Sequence, residues 1–153
     1  MSLITPPNAR ACMLIRRPVA EVFNAFVDPA VTTKFWFSRA SARLAQGATV
    51  TWHWDFYGVS AAVTVRVLEP NRRIGFDWPT PVEMNFSTWG EAGTFVSVLA
   101  SGFEGTDDDR IAQALDSTEG FNLVLAACKI HLEHGIEPRL IADKNPGGWV
   151  RER

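Results

Sequence analysis

The sequence predicts an α+β domain in which a curved antiparallel sheet of seven strands wraps around one long C-terminal helix, with two short helices between strands 1 and 2. Three observations predict it. From Arg39 to Phe103 apolar and polar residues alternate with period two, interrupted by turn signals. Two other stretches, Pro18 to Asp28 and Phe121 to His134, place apolar residues at helical spacing instead. The chain of 153 residues is long enough to bury about 70% of its unfolded surface around a single core, without disulfides or metal.

Taken in order, Ala11 to Arg16 reads as the first strand. "RPVAEVFNAFVD" then becomes helical, with Val19, Val22, Phe23 and Phe26 on one face and Pro18 at the start. Asp28-Pro29 is an N-cap and first-turn signal for a second short helix, which runs to about Phe35 and the aromatic cluster Phe35 to Phe37. Turns at Gln46-Gly47, Tyr57-Gly58, Pro70-Asn71, Pro79 to Pro81 and Gly90 to Gly93 then separate six strands of an antiparallel meander. Asp107 to Asp109 concentrate negative charge where a helix begins, and Gly135 and Pro138 stop it. Gly120 is expected to break this segment into a short piece and the long helix Phe121 to His134. One domain therefore covers residues 1–153, with a core over about 10–135 and a tail, 136–153, read as a strap or frayed end.

Parity assigns the faces of the sheet, because residues two apart share a side. Val50, Trp52, Trp54 and Phe56 fall together, and so do Ala61, Val63, Val65 and Val67. Ile74, Phe76 and Trp78, then Val82, Met84 and Phe86, then Val96, Val98 and Ala100 continue the apolar face. A loop of Tyr57 to Ser60 would set Trp54 opposite Val63, and a loop of Trp89 to Gly93 would set Phe86 opposite Val96. His53 and Asp55 in "VTWHWDFYG" fall on the polar face. They are therefore expected to be a solvated pair contacting groups such as Arg66, because acid–base work needs a protected pocket. Phe95 and Leu99 are misfits on that polar face. The apolar face requires a cover, and Phe121, Val124, Leu125, Cys128 and Leu132 supply an apolar helical stripe for it.

Composition narrows the function. Hydrophobic residues are 46% and charged residues 21% of the chain, with six tryptophans and ten phenylalanines as bulky apolar material for a core or a cavity. A net charge of −2 without a basic run disfavours nucleic acid and acidic membranes as partners. No apolar run reaches spanning length and the start lacks the build of a signal peptide, so a cytoplasmic location is expected. Cys12 and Cys128 stand outside any Cys-x-x-Cys pattern and read as inert thiols. His131 and His134, with Glu133 and Glu137 nearby, lack the paired spacing of a zinc motif and read as a solvated helix end. No Gly-x-Ser-x-Gly elbow frames a nucleophile, and "GFEGTDDD" reads as a helix cap rather than a calcium loop. No cofactor and no metal are expected.

Four segments, "RPVAEVFNAFVDPAVTTKFWF", "GATVTWHWDFYG", "GTFVSVLASGFEG" and "EGFNLVLAACKIHLEHG", together with the order of elements, resemble the START-like helix-grip domains of the SRPBCC superfamily. The match is strongest with the branch named after the activator of heat-shock protein 90 ATPase. Phe121 stands where relatives usually carry tryptophan, and Ala100 where some carry a polar residue. The resemblance implies a hydrophobic cavity between sheet and long helix that binds small, lipid-like or aromatic ligands; some members of the superfamily are polyketide cyclases.

Trp36, Trp52, Trp54, Trp78, Met84 and Phe121 are accordingly the leading candidates for ligand contact. Phe56, Val63, Val65, Phe76, Phe86, Val98 and Leu125 are expected on the same lining. Three functions remain open. A binding domain for a small hydrophobic or aromatic molecule leads, because no carboxylate, histidine or lysine falls on the inner face. A cyclase-, dehydratase- or hydrolase-like enzyme would use polar groups reaching the cavity from loops or the terminal helix. A chaperone ATPase co-regulator is weaker, since the eukaryotic activators carry an additional domain for which this chain has no room. Phe95, Leu99 and Trp89 raise the expectation of a homodimer, unless a tail including Ile141, Trp149 and Val150 covers them.

Overall fold

The computed structural model describes residues 3–147. β1 (Ala9–Ile15) leads into α1 (Val19–Val27) and α2 (Pro29–Thr32). Six strands follow: β2 (Arg39–Ala40), β3 (Thr49–Trp54), β4 (Val59–Glu69), β5 (Arg73–Trp78), β6 (Thr80–Trp89) and β7 (Gly93–Ala100). α3 (Asp107–His134) and α4 (Leu140–Asp143) complete the described chain. The strands form one antiparallel sheet in the order β1-β7-β6-β5-β4-β3-β2, a meander to which β1 adds beside β7. This is the α+β helix-grip architecture.

Local chemistry accounts for the helices. Asp28 closes α1 and caps α2, its carboxylate accepting the Ala30 N–H at 3.0 Å with Pro29 in the first turn. The Thr32 hydroxyl, buried, donates to Ala25 O and Asp28 O and so ties α2 to α1. Thr106 and Asp109 exchange both hydrogen bonds of a capping box at the start of α3. At the other end Gly135, with φ of 69°, returns its N–H to His131 O. Between these caps α3 runs unbroken for 28 residues, about 42 Å at 1.5 Å per residue. The expected break at Gly120 is therefore corrected. A glycine inside a helix costs about 1 kcal/mol relative to alanine, which two good caps and a packed C-terminal half outweigh.

The register of β6 and β7 sets Phe86 opposite Val96, as the alternation implies. Two details of the sheet differ from the parity reading. The β3–β4 turn is Asp55 to Gly58 rather than Tyr57 to Ser60, so Trp54 faces Val59 and Val50 faces Val63. The shift is by an even number of residues, so the faces survive, but Phe56 leaves the strand and is exposed. A bulge between Val65 and Val67 then puts Val67 opposite Gly75 and Leu68 opposite Ile74, turning Val67 to the outer side.

α1 and α3 cover the apolar face. Val22, Phe23 and Phe26 of α1 and Phe121, Val124, Leu125 and Cys128 of α3 are buried with Trp52, Ile74, Phe76, Met84 and Val98 of the sheet. α3 also grips the edge strand β1: the Lys129 ammonium donates to Leu14 O at 2.7 Å, and the Arg16 N–H donates to the Glu133 carboxylate at 2.7 Å. The backbone groups at this end of the edge strand, Leu14 O and Arg16 N–H, are thereby occupied. Within the tail, Leu140–Asp143 form α4, whose Ile141 is buried. Trp149 and Val150 lie outside the described residues. No helix among the described residues is long and apolar enough to cross a membrane.

Candidate functional site

The His53–Asp55 pair lies on the outer side. His53 is half-buried in β3, and Asp55 sits on the turn, its carboxylate 3.1 Å from the Arg39 guanidinium. Arg66, the partner expected from the sequence, pairs instead with Asp77 at 2.8 Å, and Arg73 pairs with Glu83 at 2.7 Å. These well-solvated cross-strand pairs contribute about 0–1 kcal/mol each and leave the pair outside any pocket.

The inner side holds an aromatic cluster. Trp36, delivered by the turn after α2, meets Trp52 at 4.9 Å, Trp78 at 5.7 Å and Phe121 at 5.9 Å between ring centres. Trp52 is stacked on Phe37 at 4.8 Å and meets Phe76 edge-on at 5.5 Å. Trp54 and Trp78 stack at 5.4 Å with their planes 9° apart. Offset and edge-to-face contacts of this kind add about 0.5–1.5 kcal/mol per pair beyond area burial.

Beside this cluster, between the β3–β4 hairpin, the end of β5 and α3, lies a cavity of about 260 Å³. Trp36, Trp54, Trp78, Phe121, Val124 and Ala61 form its apolar wall. Small residues leave room there, Ala61 on β4 and Ser117 and Gly120 on α3 all lying on the lining. A Cβ added at Gly120 meets nothing within 4 Å. Tyr57, Val59 and Ile141 close one side, with the Tyr57 hydroxyl donating to the Ile141 carbonyl. Asp116 and Lys144 stand at the mouth, which continues into a shallow depression shared with Glu119, Leu123 and Asn145. Lys144 is ion-paired with Glu119.

Of the residues singled out from the sequence, the structure brings Trp36, Trp54, Trp78 and Phe121 together on this wall. Trp52, Val63, Val65, Phe76, Met84, Phe86, Val98 and Leu125 are buried but lie outside the lining, in the packed core. The reason is visible at Phe86, where Phe23 and Phe26 of α1 approach to 5.1 and 6.0 Å and fill that end of the sheet. Phe56 is corrected outright: on the turn, it packs against Tyr57 at 4.7 Å and does not reach the cavity. Sequence reasoning placed Ala61 and Val124 on apolar faces without naming them for ligand contact, and missed Tyr57, Val59, Ser60, Asp116, Ser117, Gly120, Ile141 and Lys144 as lining. Gly120 carried the one usable signal, a helix-breaking residue retained inside a helix beside an apolar stripe.

The other constellations weighed from the sequence do not line the cavity. The His131 ring hydrogen-bonds to Ile136 O at 2.9 Å, and Glu133 is engaged by Lys129 and the Arg16 N–H. Burial raises Glu133, but those hydrogen bonds and the charges of Lys129 and His134 outweigh it and hold the carboxyl below its ordinary range. Cys128 is buried and its thiol is pushed far upward by desolvation, which makes it unreactive; Cys12 is exposed.

Comparison with known proteins places this geometry in a family. The pattern described as "Activator of Hsp90 ATPase homolog 1-like protein" matches residues 16–133. A crystal structure of a protein from Staphylococcus saprophyticus is 34% identical, with a TM-score of 0.75 over 84% of this chain and 93% of that one. The solution structure of the Aha1 dimer from Colwellia psychrerythraea is 20% identical, with a TM-score of 0.72 over 84% of this chain and 97% of that one. CalU16 from Micromonospora echinospora is 16% identical, with a TM-score of 0.65 over 94% of this chain and 92% of that one. No curated protein matches by sequence.

Proposed function

The chain belongs to the family of activator of Hsp90 ATPase homolog 1-like proteins, and on that premise we propose that it is a small-ligand-binding domain taking an apolar or aromatic molecule into the cavity between sheet and α3. The cavity itself carries this reading. About 260 Å³ of concave space walled by Trp36, Trp54, Trp78 and Phe121 and open at one side is the form of a small-molecule site, apolar inside with a few polar groups at the edge. A ligand ring burying about 150 Å² of apolar surface there gains roughly 4 kcal/mol before the costs of association. The charged lining groups, Asp116 and Lys144, stand at the mouth with Lys144 engaged by Glu119, which favours binding over a cyclase-, dehydratase- or hydrolase-like reaction.

The test uses Gly120→Leu, which fills the open space beside Gly120 and replaces a poor helix former. Titration of 2-naphthol, followed by quenching of tryptophan emission, is expected to saturate at one site in the parent protein and to lose that site in G120L at an unchanged or raised melting temperature. Equal binding by both proteins sinks the proposal.

We also propose that two copies associate through the outer face of β6 and β7. Trp89 is 60% exposed and contacts Phe95 at 5.8 Å, and a similar structure is that of a dimer.

A further inference from the structure

We infer that the ligand of this cavity is an organic cation, an arylalkyl- or alkylammonium compound whose apolar part lies against Trp36, Trp54, Trp78 and Phe121 and whose positive charge faces Asp116. The inference rests on the cavity reading above and adds the charge of the occupant.

Two independent features carry it. The first is the wall. The face of an aromatic ring carries the negative lobe of its quadrupole, and tryptophan attracts cations most strongly. Three of the four large rings on this wall are tryptophans. The second is the charge at the mouth. Lys144 is the one ammonium among the described lining residues, and it is matched by Glu119. The Asp116 carboxylate, on the same rim, makes no ion pair or hydrogen bond among the described residues. Among the described residues around the mouth, one ammonium against two carboxylates leaves a charge of −1, and the unpaired carboxylate is the one bordering the aromatic wall. A carboxylate ligand, such as a free fatty acid, would meet Asp116 with the wrong sign and find Lys144 already engaged by Glu119. A neutral ligand would leave Asp116 without a role. A cation is complemented by both.

Three probes of similar size separate the possibilities: benzyltrimethylammonium, its neutral carbon isostere neopentylbenzene, and phenylacetate. Each is titrated into the full-length, 15N-labelled protein while the indole N–H resonances are followed. The cation is expected to bind at least about tenfold more tightly than the isostere, a difference of about 1.4 kcal/mol, and phenylacetate more weakly than either. Asp116→Asn, at an exposed position, is expected to cut the tenfold ratio to about threefold or less while the isostere's affinity stays unchanged. An isostere that binds as tightly as the cation, or a ratio that D116N does not move, overturns the cation inference and leaves the cavity reading standing. If none of the probes shifts an indole resonance, both fall.

Discussion

At the scale of single residues, the two tryptophans that alternate with His53 have different surroundings, although the sequence treats them alike. Trp52 is 1% exposed and surrounded by Phe37, Trp36, Phe76 and Trp78. Trp52→Ala is therefore expected to destabilise the fold by about 3–5 kcal/mol, read as a fall in the denaturation midpoint at constant slope. Trp54 borders open space, so truncating it forfeits fewer contacts and is expected to cost less than Trp52→Ala while weakening binding more. His53→Ala and Asp55→Asn touch only the outer side, and both are expected to stay within about 0.5 kcal/mol of the parent with ligand affinity unchanged. A larger loss of binding in either would restore the catalytic-pair reading. Parity alone distinguished the inner tryptophans from His53. It had no means of telling Trp52 from Trp54, because that difference arises from what α3 brings across the sheet.

At the scale of elements, α3 both grips the sheet and shapes the cavity, and its two roles separate at Gly120. Gly120→Ala adds a methyl where nothing lies within 4 Å, in a helical conformation that alanine prefers, so it is expected to stabilise by about 0.5–1 kcal/mol while reducing the cavity. Differential scanning calorimetry checks the sign. Further along the helix, Glu133 joins α3 to β1 and Lys129 through charge-assisted hydrogen bonds. Its folded-state value is depressed, so its contribution is present above the unfolded carboxylate range and is lost as pH falls through the folded value. Glu133→Gln is expected to melt below the parent at neutral pH, with the gap closing in acid. A gap independent of pH would mean that packing, not charge, makes the link. Strand order, caps and the β6–β7 register were legible from period, turn chemistry and loop length. The β3–β4 register was not, since an even shift of a hairpin leaves every face as before, and the bulge after Val65 was not, since Val67 and Leu68 are both apolar and either could continue the inner face.

At the scale of the whole molecule, the sheet has an inner side covered by helices and an outer side stitched by ion pairs, and the aromatic exceptions on the outer side, Trp89 and Phe95, lie at the β6–β7 turn. Phe95 pairs across the sheet with Leu14 on β1 and Ser87 on β6, and its ring lies against the exposed Trp89. Leu99, four residues along β7, is half-buried on the same side. The described tail does not cover them, because Ile141 packs at the cavity and α4 rests on α3. Single exposed apolar residues are ordinary, but Trp89 and Phe95 with Leu14 opposite Phe95 form an apolar patch at this end of the sheet, and a symmetric dimer hides such a patch with one surface. The cavity opens on the opposite side of the sheet, so association through Trp89 and Phe95 leaves ligand access intact. Sedimentation at micromolar concentration is expected to show dimer for the parent chain and monomer for Trp89→Ser and Phe95→Ser, with equal ligand affinity in all three. Monomer throughout would return Trp89 and Phe95 to the category of scattered surface residues. A dimer whose dissociation also abolished binding would mean that the two sides of the sheet are coupled.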